Sequence, residues 1–188
     1  MWLRQAGPIG EDVSGRIDLA PLLDDRTSPS SGPADARVTL VVFTDYQCGA
    51  CRLAHPAMLR AAREAGDVRI VYRDLPVFGP VSEQAARVAL ASANQGIYPQ
   101  VHDAFMREPR RLDPPVMREI LARFGADWQR VDRDAADPAV SRQLARNGQD
   151  ALRLGVSGTP TYLIGPVRIV GALSEREFSR AFDQARDR

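Results

Sequence analysis

A β-branched, nearly all-apolar run, Val38-Thr39-Leu40-Val41-Val42-Phe43, stops at a polar turn, and Cys48 and Cys51 follow, two residues apart, as a helical pattern begins. No other stretch constrains the fold as much. Such a run suits a central strand covered on both faces, and a helix starting directly behind it must turn back along that strand. The pattern predicts a helix over 49–65, with Gly66 as its stop and Pro56 kinking its middle. Residues 68–73 read as the next strand, so strand, helix and strand make a right-handed parallel crossover. The cysteines then fall at the carboxyl end of the first strand, where open α/β sheets place their chemistry.

These are the only 2 cysteines in 188 residues. At the head of a helix, free backbone N–H groups and the positive end of the dipole favour a thiolate at Cys48. On one helical turn the two sulfurs come close enough to bond, with Cys48 expected to face outward and Cys51 to turn toward the body. In that arrangement Cys48 attacks and Cys51 resolves. A purely structural disulfide is a poor alternative, because closing so short a loop restricts the unfolded chain little. A zinc site needs about two further ligands, and only His55 and His102 are present as histidines, so no metal is expected. His55, one helical turn beyond Cys51, reads as a packed or solvent-facing side chain.

Composition narrows the function classes. The length suits one domain. The net charge is +1 and the basic residues are spread along the chain, which gives no reason to expect nucleic acid as a partner. All 25 basic residues are arginine, so Schiff-base chemistry is excluded apart from the N-terminus. No run approaches the roughly 18 apolar residues of a membrane span, and residues 1–10 lack the apolar stretch of a secretory signal. The chain is therefore expected to be cytosolic or to begin after a removed leader. Proteins and small thiols are the expected partners.

Residues 1–36 read as an N-terminal arm and linker, in which Arg16-Ile17-Asp18-Leu19 is either a weak edge strand or an anchor remnant. Residues 37–79 form the first part of the α/β unit. Residues 80–154 turn helical: Ser82 opens a helix that stops near Gly96, Asp113 with Pro114 opens one that stops near Gly125, and Asp137 with Pro138 opens one ending near Gly155. Shorter helices are expected near 101–107 and 127–135. Residues 155–188 complete the α/β unit with a hairpin turning at Gly165-Pro166, then a helix opened by the capping-box pair Ser174 and Glu177.

This order resembles the thioredoxin fold and, more narrowly, the DsbA family, over roughly residues 34–186. The matching motifs are Phe43-Thr44-Asp45-Tyr46-Gln47-Cys48 with Cys51, and Leu154-Gly155-Val156-Ser157-Gly158-Thr159-Pro160-Thr161 ahead of a strand. The resemblance implies an α/β thioredoxin-like fold, a central mixed sheet flanked by helices, with an inserted all-helical subdomain. It implies a cis Pro160 facing the sulfurs and a Thr159 whose backbone meets an extended substrate peptide. The implied activity is disulfide exchange with protein substrates, most naturally as a dithiol oxidase, with isomerase and reductase as the alternatives within the fold. The redox-active Cys48–Cys51 disulfide is then the sole cofactor. A redox partner resets the pair, and the implied site of action is the periplasm or another extracytoplasmic space; the sequence leaves the cytoplasm and the oligomeric state open.

Two departures bear on chemistry. Gly49 and Ala50 stand where many relatives have a proline or a histidine between the cysteines, so a weaker oxidant is expected. Val42 stands where many thioredoxin-like proteins have a buried strand acid. Asp45 is then the nearest carboxylate, either a proton relay for Cys51 or a turn aspartate. Arg52 either lends positive potential to the thiolate or is a solvated face residue. Tyr46, Tyr72, Phe78 and Tyr162 line a client-binding patch or belong to the core, while Phe105, Trp128 and Leu144 are assigned to the insertion's own packing. Two readings from other classes remain: a module holding a soft metal ion between the thiolates, and a redox-silent groove that holds unfolded chains.

Overall fold

A computed structural model of the protein describes Gly7 and residues 9–187. Its first elements are β1 (Glu11–Asp12), α1 (Ala20–Leu23) and β2 (Ser30–Ser31). The stretch carrying both cysteines forms β3 (Val38–Thr44), α2 (Gly49–Ala65) and β4 (Val68–Asp74). A helical section follows, with α3 (Pro80–Ser92), α4 (Tyr98–Arg107), α5 (Pro114–Ala122), α6 (Trp128–Ala135) and α7 (Pro138–Arg153). The chain then returns to the sheet through β5 (Thr161–Ile164) and β6 (Val167–Val170) and ends in α8 (Glu175–Arg186).

β3 lies inside a mixed sheet of order β1-β6-β5-β3-β4-β2. It pairs in parallel with β4, from Val38↔Val68 to Thr44↔Asp74, and antiparallel with β5, from Leu40↔Ile164 to Phe43↔Thr161. Both of its faces are buried. Leu40 and Val42 pack in one core with Met58 of α2 and with Phe178 and Phe182 of α8; Val41 and Phe43 pack in another with Leu22 of α1 and Ala151 of α7. Burial on two faces explains why the run is apolar at successive rather than alternate positions. α2 stops at Gly66, whose φ of 74° closes the helix in the left-handed region. Pro56 lies inside the helix.

The predicted arm and linker is instead part of the sheet and core. β1 pairs with β6 and β2 with β4, so residues 9–36 supply both edge strands. Val13 and Leu22 are buried, and Asp25 reaches the buried Arg73 at 2.8 Å. The edge position beside β6 is taken by Glu11 and Asp12, and residues 16–19 form no strand. Residues 1–6 and 8 of the predicted arm lie outside the described residues. A second difference concerns α3, which begins at Pro80 after Gly79 at φ 90° rather than at Ser82. Ser82 sits in its first turn, buried, and its hydroxyl donates to Asp45 at 2.7 Å. A carboxylate in the active-end loop has drawn this serine inward from the capping role it was assigned.

Candidate redox site

β3 ends at Thr44, and the chain turns so that the Cys48 amide donates to the Asp45 carbonyl at 3.1 Å. Cys48 is the N-cap of α2, and its Sγ accepts the Cys51 amide at 3.3 Å, as an N-cap oxygen does in other helices. Both cysteines are free thiols. From the other side, the pairing of Thr161 with Phe43 carries the preceding residues over the head of α2. The Thr159–Pro160 bond is cis. The Cys48 thiol donates to the Thr159 carbonyl at 3.2 Å, a contact between residues 111 positions apart. The structure thus brings together Cys48, Cys51, Thr159 and Pro160.

The expectation that Cys48 faces outward needs correction. Cys48 is 4% exposed and Cys51 3%. The Thr159 carbonyl covers the Cys48 sulfur, while Gly49 and Ala50 beside it are exposed. Burial first, and then the hydrogen bond with Cys48, push the Cys51 thiol up to about 12 against opposing contacts from Thr44, the Asp45 backbone and Thr159. The proton on Cys51 is therefore firmly held in the reduced pair.

Asp45 occupies the turn as an acceptor. Its Oδ1 takes hydrogen bonds from the Gln47 amide and the Ser82 hydroxyl, both at 2.7 Å, and its Oδ2 takes the amides of Val77 at 2.7 Å and Phe78 at 3.1 Å. These four donors correspond to the turn-aspartate reading and tie the loop after β4 to the cysteine turn. Arg52 neither caps the sulfur nor floats in solvent: its guanidinium donates to the Glu108 carbonyl and joins α2 to the end of α4. Of the four aromatic residues considered for a client-binding patch, Tyr46, Tyr72 and Tyr162 are core residues, and only Phe78 is exposed, beside Val77. Phe105 packs edge-on against Tyr46 at 5.5 Å between ring centroids, so it serves the cysteine turn as well as the insertion.

Several polar groups near the pair escaped the reading of the sequence. Asp74, the last residue of β4, stands beside Thr44 in the sheet and accepts the Tyr98 hydroxyl at 2.8 Å. Burial raises its carboxyl to about 7, helped by the charge of Asp45 and opposed by the Tyr98 and Tyr46 hydroxyls. His102 of α4 holds Nδ1 at 2.8 Å from the Tyr46 hydroxyl and 3.2 Å from that of Tyr98. Burial, with His55 adding to it, pushes the His102 imidazole well below its ordinary range. His55 is itself buried, with Nε2 at 2.9 Å from Asp103. Helical spacing from Cys51 was the one available signal for His55; Asp74 and Asp103 arrive through strand register and helix packing. Among the described residues, no group of three or more histidine, cysteine, aspartate or glutamate side chains is arranged to hold a metal ion.

With this geometry in hand, comparison with known proteins is direct. A thioredoxin-like oxidoreductase from Silicibacter pomeroyi DSS-3 is 31% identical and superposes with a TM-score of 0.87 over 92% of this chain and 99% of that one. The thiol-disulfide exchange protein alpha-DsbA2 from Wolbachia pipientis is 26% identical, with a TM-score of 0.82 over 92% of each chain. The curated relatives include the Na(+)/H(+) antiporter NhaA 3 of Salinispora tropica, 33% identical over 169 residues, which are 89% of this chain and 26% of that protein. The chain thus spans about a quarter of the length of such relatives. No helix among the described residues is long and apolar enough to cross a membrane. Residues 39–183 match the family model of the DSBA-like thioredoxin domain, a region running from β3 into α8 and enclosing both cysteines, the inserted helices and the cis proline. The chain therefore belongs to the DSBA-like thioredoxin-domain family and shares the fold of its thiol-disulfide oxidoreductases.

Proposed function

We propose that this protein exchanges disulfides with protein substrates through Cys48 and Cys51, as a dithiol oxidase working outside the cytoplasm. The observation that carries the reading is the placement of the Cys48 sulfur, between the Cys51 amide on the helix and the Thr159 carbonyl on the cis-proline loop. One sulfur is thereby held at a helix end next to a backbone able to pair with an extended chain. In the oxidised protein there is no Cys48 thiol proton, so the Thr159 carbonyl is free to accept a substrate amide.

A substrate thiolate attacks Sγ of Cys48, the Cys48–Cys51 bond breaks, and Cys51 leaves as a thiolate that takes up a proton. A second substrate thiolate then attacks the substrate sulfur of the mixed disulfide and releases Cys48. Two electrons pass from the substrate dithiol to the protein, and a redox partner of the same thiol-disulfide chemistry removes them. The pair itself carries the electrons, so the reaction calls on no further cofactor. An extracytoplasmic site is supported by a 26% identical periplasmic thioredoxin-like protein from Salmonella enterica serovar Typhimurium. The antiporter name of the longer relatives is not carried over, since the shared region is the thioredoxin-like one.

The Cys51→Ser variant tests the exchange. It is expected to accumulate disulfide-linked client proteins. Client binding without covalent adducts would replace exchange with a binding module, and bound metal in protein prepared without chelator would replace it with metal handling. Equilibration with glutathione tests direction: a potential more oxidising than about −200 mV supports the oxidase, and one near −270 mV makes the protein a reductase.

A further inference from the structure

Cys51 has to gain or lose a proton at every turnover, yet the strand position expected to hold an acid is Val42, and Asp45 is engaged by four donors of its own. A small cavity of about 10 Å³ lies against Cys51, with His55, His102, Thr44, Pro160 and Tyr162 also in its wall. It has about the room of one water molecule. His55 follows Cys51 by one helical turn, which puts the two on the same face of α2. On its far side the imidazole meets Asp103 of α4, which is 37% exposed and leads to solvent.

We propose that His55 is the base and acid that serves Cys51, taking its proton across this cavity when the thiol resolves a mixed disulfide and returning it in the reverse step, with Asp103 relaying the proton to solvent. The inference rests on the reading of Cys48 and Cys51 as the exchanging pair. The Asp103 carboxylate accepts from Nε2, so the neutral ring carries its proton there and presents a lone pair at Nδ1. This is the nucleophile, base and orienting-carboxylate logic of covalent catalysis, applied to the resolving sulfur.

In the resolving direction the Cys51 thiol gives its proton, through a bridging water, to Nδ1 of His55. The thiolate attacks Sγ of Cys48, the bond to the substrate sulfur breaks, and the substrate leaves as a thiolate. Nε2 passes its proton to Asp103 and thence to water, which returns the ring to its neutral form.

His102 does not compete for this role. Its Nδ1 is engaged by the Tyr46 and Tyr98 hydroxyls, at 2.8 and 3.2 Å, and its ring is buried, so it lacks the outlet to solvent that Asp103 gives His55. The titratable and charged groups facing His55 are Cys51 on its own helix, His102, Asp103 and Arg107 on α4, and Tyr162 across the cavity. Burial lowers the His55 imidazole, Asp103 opposes that shift, and Arg107 reinforces it. The ring is thus neutral near pH 7, the form that offers a lone pair.

Ellman's reagent separates the steps, because the first thionitrobenzoate released reports attack by Cys48 and the second reports resolution by Cys51. Wild type, His55→Gln and Asp103→Asn are to be followed from about pH 5 to about pH 9. The second release is expected to slow at least tenfold in His55→Gln near and below neutrality, with a gap that narrows as hydroxide takes over the proton. Asp103→Asn, altered at a partly exposed site, is expected to slow the same phase by a smaller factor. A second release equal to wild type in both variants overturns the inference, as does one slowed by the same factor at every pH, which is the mark of a packing defect. Failure of wild type to give any second release would instead overturn the reading of the cysteine pair.

Discussion

Asp74 makes the interior of this protein sensitive to pH. An unfolded aspartate ionises near 3.8 and the buried Asp74 near 7. Between those values the folded chain keeps a proton that the unfolded chain has released, so this residue's contribution to stability declines as pH rises from about 4 to about 7 and stays low above. Asp74→Asn, which can still accept from Tyr98, is therefore expected to stabilise the protein at pH 8 by a few kcal/mol, at most about 4, and to change little at pH 4. Urea unfolding at the two pH values measures the difference, and an equal effect at both would remove the protonation argument. At this scale the cysteines were legible because their meaning is local: a strand end, a spacing and a helix start. Asp74, His102 and Asp103 were not, because their proximity to the pair arises from the Thr44↔Asp74 register and the docking of α4. Val42 was the one hint that an acid near Cys51 had to come from elsewhere.

The helix starts show how far a cap can be read from sequence. Asp113, Asp137 and Ser174 each accept from an amide of the first turn, as their positions indicated, and Asp127 does the same for a helix whose cap was not read. Ser174 and Glu177 close a full capping box. Ser82 has the same composition signal but a different fate, since a partner 37 positions away in sequence claims its hydroxyl. Contrasting costs follow. Ser174→Ala is expected to lose about 1 kcal/mol, the ordinary value of an N-cap. Ser82→Ala is expected to lose about 2 kcal/mol, because it removes a buried hydrogen bond to a carboxylate. Denaturant midpoints test the order, and a Ser82→Ala midpoint equal to wild type would show that Asp45 does not need this donor. The strands β3 to β6 were legible for the same reason as the caps, through unbroken or alternating apolar runs. β1 and β2, two residues each, carry no period to detect.

At the scale of the whole molecule, the N-terminal segment holds the sheet through a charge as well as through strand pairing. Arg73 of β4 is 1% exposed and meets Asp25 at 2.8 Å, with Asp150 of α7 at 3.5 Å and Asn147 at 3.2 Å. Asp25→Ala leaves Arg73 with only the weaker partners, and a loss of about 3 kcal/mol is expected at neutral pH. The carboxyl of Asp25 is held down at about 2: hydrogen bonds from Ser28 and Thr27 and the charge of Arg73 outweigh burial, which acts the other way as the largest single influence. Its contribution is therefore present above about pH 4 and fades as pH falls toward 2, so wild type and variant should converge there in an acid-unfolding titration. The terminal strands of the sheet have a further consequence. A protein proposed to handle unfolded chains meets partners rich in unpaired backbone, any of which could graft onto a long open border and lead to runaway assembly. With each border of the sheet among the described residues occupied by a two-residue strand, too brief to template another chain, the proposed client pairing is left to the backbone at Thr159, which lies against the Cys48 sulfur.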